Sequence, residues 1–583
     1  MKKNICLINN NSQLRHIIKQ TLKFNNTNFI ITSHSLNQKY ISKLPNFIYF
    51  DELITLNEKK NLSKILNNEL YEWFRDKNGK DLSEINGCSL ALSHVGSYEI
   101  LFSTASKYIV GIHILLKKNT KIIYFSDTQN TMKDIIKILS VDNKDNRFEL
   151  LKKNNDEINF SENGSFRNLQ YLKKNNFQIK ILNCLLAIKN NLNFNNNEKK
   201  DNVVIFSAGK VEDFIDYYRN FRKTKFVCFT QFHSISDIKI NKNVKHFYIN
   251  YGASNRNKAI ISIISKLKPN YIKKSKFKFK NIFIKILEQR MFNQFDNTYT
   301  YYNNSIKFLS KISPKVCILG ADAYENFLIF GFAARSLNIP LIHYPHGLYI
   351  HGYDWFKKNN NNFFQHGFAF SNELVEFFSS QGLSKNKIKK IHTPYFGNPK
   401  NINLKKDDKG KKKCLILAND YFNTSPMEDN FKFDALLFNT YRLLCRLDIE
   451  VKGIKYRANG IKNIYIDKTQ VKIFDSSTNL ENLLNDIDII VGPPSSAFIE
   501  CSLLGVKYYV VQHTRFHEFS SSISRVFYNY VNVSFGVKEL EKNIKIQKIF
   551  KKNYSIQNLF NISKKNNDFE NRSNELIRII NNI

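Results

Sequence analysis

Long apolar runs are missing from this sequence. No uninterrupted stretch in its 583 residues approaches the roughly 18–20 residues that cross a bilayer. The opening MKKNICLINNNSQL carries basic residues, but its apolar run is too short for a signal peptide, so a cytoplasmic chain, soluble or peripheral on the inner membrane, is expected. Paired cysteines are missing too. The eight cysteines (Cys6, Cys88, Cys184, Cys228, Cys317, Cys414, Cys445, Cys501) are scattered without a CxxC pair, and no histidine cluster has metal-ligand spacing. Several lie in apolar runs such as KFVCFT, KVCILG and KKCLILA, where cysteine acts as a small core residue. Reduced thiols and no metal site are expected. The sequence also lacks a P-loop, a GxSxG elbow and a dinucleotide fingerprint, which argues against a kinase, an α/β-hydrolase or a dehydrogenase. No DxD-type acid pair stands in clear strand context, and DFID and DIDI read as buried strand or helix patterns. No cofactor is implied.

Acids are scarce against bases: 50 Asp+Glu face 88 Lys+Arg, a net charge of +38. Two origins stand side by side, compositional drift toward Lys and Asn codons and an anionic partner. A phosphate-bearing substrate and an anionic membrane face both fit the second. Nucleic acid fits less well, because the charge is spread along the chain rather than gathered into basic and aromatic stripes. Hydrophobic content of 42% is ample for globular folding. The length exceeds one core and suggests two to three domains of roughly 150–200 residues.

Along the chain, NICLINN, NFIITSHS and NFIYFDEL read as strands of a parallel sheet. From about Asn57 to Lys199 the pattern is mostly helical, with KYIVGIHILLKKNTKIIYFSD as a helix or strand pair inside it. NVVIFSAGKVEDF restarts a strand–loop–helix, and TKFVCFT and KHFYIN follow as strands; Gly209 in the first turn reads as a fold requirement. YIKKSKFKFKNIFIKILEQRMF reads as one basic, partly amphipathic helix with a solvated face, membrane docking being the alternative. KVCILGADAYENFLIFGFAARSLNIPLIHYPHG is strand, acidic loop, helix, Asn338–Pro340 turn, strand and loop, a right-handed βαβ crossover. A further strand–helix ends at Gly382, and the charged linker KNINLKKDDKGKKK leads to a second α/β unit running through KKCLILAND, VKGIKYRANG, IDIIVGPPSS and KYYVVQ. The fold class expected is α/β, with two Rossmann-like domains facing across a cleft and a largely helical N-terminal elaboration. The boundaries are 1–200 for an N-terminal α/β segment with a helical insertion, 201–400 for an acceptor-side domain and 401–583 for a nucleotide-donor domain.

The turn IVGPPSSAFIECSLLG concentrates the chemistry. Pro493 and Pro494 stiffen it and remove two N–H groups, and Ser495 or Ser496 can cap the next helix. A phosphate placed there gains hydroxyl and amide donors and the positive helix end. The alternative is that Ser495 only caps. Glu500, one turn after Ser496 in an apolar helix, is costly without a partner, though a solvated place would satisfy it. In HYPHGLYIHG, His343, His346 and His351 lack the spacing of a metal site. His346, at a strand's C-terminal end, is a candidate general base or phosphate donor, with a structural role as the alternative. Asp322 and Glu325 end the neighbouring strand and are rival bases. Asp76, Asp81 and Glu84 in FRDKNGKDLSEING read as surface loop acids.

The order KVCILGAD, NIPLIHYPHG, HTPYFGNPK and DIDIIVGPPSSAFIECSLLG resembles GT-B glycosyltransferases of bacterial surface polysaccharide biosynthesis, those of capsule and lipopolysaccharide included. It is nearest to the CDP-glycerol glycerophosphotransferase-like and the sialyl- and Kdo-transferase-like types. The resemblance covers roughly the last 270 residues and is a fold-level analogy. It implies metal-independent transfer of a sugar or polyol phosphate from a nucleotide-activated donor to a glycan or lipid-linked glycan acceptor. By that resemblance Ser495 and Ser496 hold the donor phosphate and Glu500 meets the ribose or base; Gly492, Asn419, Lys455 and Arg457 complete the donor set. The family's Lys-x-His-Pro is replaced here by Lys455-Tyr-Arg457-Ala458, which departs from a CMP-donor signature. Two other readings remain: a sugar-nucleotide epimerase of the same layout, and a non-enzymatic basic nucleic-acid-binding protein.

Overall fold

The structure is a computed structural model. It describes residues 4–20, 24, 26–32, 38–118, 120–125, 130–142, 147–151, 202–206, 225–229, 245–247, 257–319, 325–344, 363–369, 371–380, 382–391, 411–418, 426–427, 430–456, 471–474, 478, 480–484, 486–495, 497–513, 530–551, 578–579 and 582. Three parallel sheets organise them, with one short hairpin.

In the first sheet, short apolar runs form β1 (Asn4–Ile8), β2 (Thr27–Ile31), β3 (Phe47–Tyr49), β6 (Lys121–Phe125) and β7 (Phe148–Leu151), ordered β3-β2-β1-β6-β7. Helices α1 (Asn11–Lys19) and α2 (Gln38–Ile41) join the first strands. Between β3 and β6 comes the helical insertion: α3 (Leu56–Glu69), the hairpin β4 (Glu84–Ile85) and β5 (Cys88–Ser89), α4 (Leu90–Ser93) and α5 (Val95–Lys117); α6 (Asn130–Asp142) then precedes β7. The stretch expected to be mostly helical thus also contains β6 and β7. β7 carries no fully buried residue, so its four positions give little apolar signal.

The second sheet contains β8 (Asn202–Phe206), β9 (Lys225–Phe229), β10 (Lys245–Phe247), β11 (Val316–Leu319), β12 (Leu341–His343), β13 (His366–Ala369) and β14 (Ile388–Lys390), ordered β10-β9-β8-β11-β12-β13-β14. Between β10 and β11 run α7 (Lys258–Lys274), α8 (Lys280–Arg290) and α9 (Phe295–Ile312); α10 (Glu325–Ser336) and α11 (Asn372–Ser380) come after. The expected Asn338–Pro340 turn is present, with Asn338 at φ 58°, and Gly382 at φ 104° ends α11. The third sheet contains β15 (Lys413–Ala418), β16 (Glu450–Tyr456), β17 (Ile473–Phe474), β18 (Ile489–Gly492), β19 (Lys507–Gln512) and β20 (Ser534–Phe535), ordered β17-β16-β15-β18-β19-β20. Its helices are α12 (Asn430–Arg446), α13 (Leu480–Leu484), α14 (Ala497–Leu503) and α15 (Val537–Lys545). The second and third sheets both reverse strand order beside their first strand, as Rossmann-like sheets do.

The largest core lies in a helical layer built from two chain-distant parts, α3–α6 and α7–α9. Trp73 joins them: its ring stacks on Tyr98 at 5.1 Å and meets Tyr271 and Phe292 at 6.3 and 6.1 Å. The continuous basic helix expected from Tyr271 to Phe292 is broken between α7 and α8. Here the Glu69 carboxylate accepts from Ser275 Oγ at 2.8 Å and the Lys276 amide at 2.7 Å, and Phe277 turns into the core. Burial raises the Glu69 pKa, opposed by the Ser275 and Lys276 hydrogen bonds. Asp81, expected as a surface acid, is half-buried and its carboxylate is engaged. It accepts from the Ser83 amide at 2.7 Å and hydroxyl at 2.6 Å, and from the Ser89 hydroxyl, and so ties the hairpin to the chain before it. Asp76, by contrast, caps an exposed turn through the Asn78 and Lys80 amides.

Close packing at α5 is tight enough to test. A Cβ added at Gly111 would stand 2.4 Å from Phe50 Cζ, and Phe50 is itself 3% exposed. Gly111→Ala should cost about 1–3 kcal/mol through overpacking, read as a lower urea midpoint for loss of near-ultraviolet signal. An unchanged midpoint would show that this ring is free to move aside.

Candidate functional site

Ligands of open α/β sheets bind beyond the strand C-termini, where the strand order reverses. In the third sheet that point lies between β15 and β18, whose pairing runs to Ile416 and Val491. Asn419 comes directly after β15, and the Gly-Pro-Pro-Ser-Ser turn after β18. Lys455, half-buried on β16, pairs in register with Leu417 on β15, so it lies near the same edge. Asn419, Arg457 and Ser496, and the side chain of Glu500 on α14, lie outside the described residues.

The turn is fixed from below. Tyr508 on β19 donates to the Pro493 carbonyl at 2.7 Å, and its ring meets Phe498 at 5.6 Å. Gly492 is required by that packing. A Cβ there would lie 2.6 Å from Tyr508 Oη and 2.9 Å from Leu417 Cβ. Pro493 and Pro494 are buried. Ser495 is half-buried, and its Oγ accepts from the Ala497 amide at 3.3 Å while its carbonyl accepts from the Phe498 amide at 3.0 Å. Ser495 therefore caps α14.

In the second sheet the reversal lies between β8 and β11, where Phe206 and Leu319 end opposite each other. Leu319 also pairs with His343, and its carbonyl accepts from the Tyr344 amide at 2.8 Å. The loops holding Asp322 and His346 thus leave adjacent strands at one edge. Both residues, with His351, lie outside the described residues. His343 is buried on β12, edge-on to Phe364 and Phe378 at 4.8 and 5.3 Å, a core position. Among the described residues, no group of three His, Cys, Asp or Glu could hold a metal ion.

Glu325, the first residue of α10, is described, and its neighbours come from far along the chain. Its Oε1 accepts from Thr298 Oγ1 of α9 at 3.1 Å and lies 3.3 Å from His94 Nε2. His94 Nε2 also meets Thr298 Oγ1 at 2.8 Å, and its ring packs on Phe295 at 5.6 Å. His94, between α4 and α5, is 1% exposed, and the Glu325 side chain is 12% exposed. Burial pushes the Glu325 carboxyl up to about 8, with the Thr298 hydrogen bond opposing it, and lowers His94 to about 3. The pair is thus neutral near pH 7, the proton resting on the carboxyl. An acid so held has the protonation of a general acid, whereas a base role would require it to lose that proton first. His94 and Thr298 escaped sequence reasoning, because nothing periodic links residues 204 positions apart.

No protein-family model matches the sequence, and no curated protein matches it. Solved structures do align with it. UDP-N-acetylglucosamine 2-epimerase from Rickettsia bellii aligns over 65% of this chain and 95% of its own, at 12% identity and TM-score 0.39. MurG of Acinetobacter baumannii aligns over 66% of this chain and 100% of its own, at 12% identity and TM-score 0.35. The wall teichoic acid polymerase TagF aligns over 70% of this chain and 98% of its own, at 12% identity and TM-score 0.38. These are similarities to GT-B proteins, the fold class expected from the sequence. At such scores they assign no residue a role.

The buried acid has a signature in stability. Glu325 binds its proton more tightly folded than unfolded, so its contribution is whole below its ordinary 4.5 and is lost as pH rises through about 8. His94 has the opposite sign: its contribution is present above its ordinary 6.5 and is lost as pH falls toward about 3. Glu325→Gln should remove the alkaline loss, so wild-type melting temperature should fall relative to the variant between about pH 5 and about pH 9. Parallel curves for the two proteins would contradict the assignment.

Proposed function

We propose that the protein is a glycosyltransferase that moves a sugar or polyol phosphate from a nucleotide-activated donor to a surface polysaccharide acceptor. The observation that carries this reading is the Rossmann-like strand order of the second and third sheets, together with the polar and ionisable residues that follow their strands in sequence. In the sequence, Asn419 and the Pro-Pro-Ser-Ser turn follow β15 and β18 of the third sheet, with Lys455 near the end of β16, and Asp322 and His346 follow β11 and β12 of the second. In the GT-B arrangement these edges face each other across a cleft, with the donor on the third sheet and the acceptor on the second.

In this reading Ser496 and the α14 amides take the donor phosphate, because the oxygen of Ser495 already serves the helix cap. Lys455 and Arg457 offset the charge of the leaving phosphate, Arg bidentately. His346, or the Asp322 carboxylate, removes the acceptor proton. Glu325, protonated near neutrality, suits hydrogen-bond donation better than proton removal. The burial that makes it so disfavours its charge.

A thermal-shift series with CMP, CDP, UDP and GDP tests the donor class, since ligand binding to the folded state raises its melting point by mass action. For the nucleotide that binds, Ser496→Ala should weaken affinity by about 1–2 kcal/mol and Ser495→Ala by less, measured by titration calorimetry. Equal affinity for both variants and wild type would remove the turn from the donor site. His346→Ala should lower turnover about 10²–10⁴-fold with donor affinity retained; full turnover would move the base role to Asp322.

A further inference from the structure

Helix α7 carries two opposed faces. Ile260, Ile263, Leu267 and Tyr271 are buried against the helical layer. The outward face exposes Lys258, Ile261, Lys266, Ile272 and Lys273. Ile261 and Ile272 are 50% and 38% exposed, two of the few large apolar side chains left in solvent among the described residues. They stand eleven positions apart, about three turns, and so share one side of the helix. From Asn257 to Leu287 the chain holds nine lysines and neither an acid nor an arginine. Some of these lysines serve the fold: Lys268 pairs with Glu288 at 2.6 Å, and Lys274 donates to the Asp76 carbonyl at 2.7 Å. Lys258, Lys266 and Lys273 have no acidic partner among the described residues.

We propose that this outward face of α7 docks the protein on an anionic bilayer surface. Lysines with isoleucines between them match a headgroup layer above an acyl boundary, the lysines meeting phosphate and the isoleucines entering below it. A nucleic acid would use other features. Phosphate and base recognition favours arginine and exposed aromatic platforms, whereas here Tyr271, Phe277 and Phe283 all point into the core. The helix is held from its inner side, so docking needs no rearrangement of the layer.

The test uses the full chain and neither donor nor acceptor, so its result is independent of the transferase reading. Wild type should sediment with phosphatidylcholine–phosphatidylglycerol vesicles and not with phosphatidylcholine alone. Binding should weaken as salt shortens the screening length from ~10 Å to ~3 Å between ~0.1 M and ~1 M. Replacing Lys258, Lys266 and Lys273 together with Gln should lower partitioning about a hundredfold, near fivefold per lysine. Ile261→Ser with Ile272→Ser should abolish whatever binding survives high salt. As a control, Lys538, Lys542 and Lys548, all exposed near α15, are replaced with Gln to remove the same charge; this variant should bind nearly as wild type does. Equal loss in the control would mean that net charge, not this face, drives binding and would overturn the proposal. So would unaltered vesicle binding in a folded α7 variant, or the loss of single-stranded RNA binding there with vesicle binding intact.

Discussion

Helix α5 sets the constraint on which the first half of the molecule depends. It is 23 residues long and apolar enough to pass for a membrane span, yet most of it is buried within the fold. A helix apolar around its circumference must be covered on all sides. Residues 50–53, α3 and α6 cover part of it, and α8 covers another part. The last comes from beyond β10, so the crossover of the second sheet is also the lid of the first unit's core. Lys107, buried inside this packing, is paired with Asp51 at 3.4 Å. Lys59, also buried, lies 3.9 Å from the same carboxylate, so removing Asp51 would take an anionic partner from two buried lysines. The Glu69 bonds to Ser275 and Lys276 have the same logic: they hold the returning chain where α7 must turn into α8.

That covering arrangement also creates the environment of Glu325. Once α9 lies along α10, Thr298 faces the first turn of α10, and the start of α5 brings His94 to the same point. None of the three residues is near another in the chain. The carboxyl stays protonated because it is buried without a cationic partner, since His94 is itself too buried to charge. Its protonation is therefore a property of the helical layer as much as of the helix that carries it. A change in the packing of α9 should be felt at this acid.

The strands were the legible part of the fold. NICLI, KFVCF, KVCIL, KCLIL and IDIIVG are short apolar runs bounded by polar turns, and a strand buried on both faces can hardly look otherwise. β7 and β20, short and partly exposed, gave no such signal. Local polarity misled where a polar group is satisfied by distant partners. Asp81 looked like a loop acid because its serine partners are ordinary residues, and the helix beginning at Tyr271 looked continuous because Glu69 lies some two hundred residues earlier. At the turn after β18, the sequence left capping and phosphate binding open for both serines. The hydrogen bond from the Ala497 amide settles Ser495 alone, and the dominant histidine and acid candidates, His346 and Asp322, lie outside the described residues.

Three sheets share one strand order, so strand order alone does not say which of them would hold a ligand. The turns at the strand ends discriminate. After β1 the chain satisfies itself: Asn10 accepts from the Gln13 amide at 2.8 Å, Gln13 accepts from the Asn9 amide at 2.8 Å, and Gln13 is fully buried. The Thr32 hydroxyl, past β2, donates to the Ile8 carbonyl at 3.0 Å. Polar groups engaged in this way have little left for a ligand. The turn after β18 is built differently. Two prolines remove donors that a self-satisfying turn would use, Tyr508 secures the Pro493 carbonyl, and Ser495 caps the helix. Each of these constraints fixes the backbone, and one serine is enough for the cap, so the sequence supplies a second hydroxyl beyond what capping requires. A stiff turn that carries a hydroxyl more than its helix needs is suited to a phosphate, and among the strand ends described that combination occurs in the third sheet.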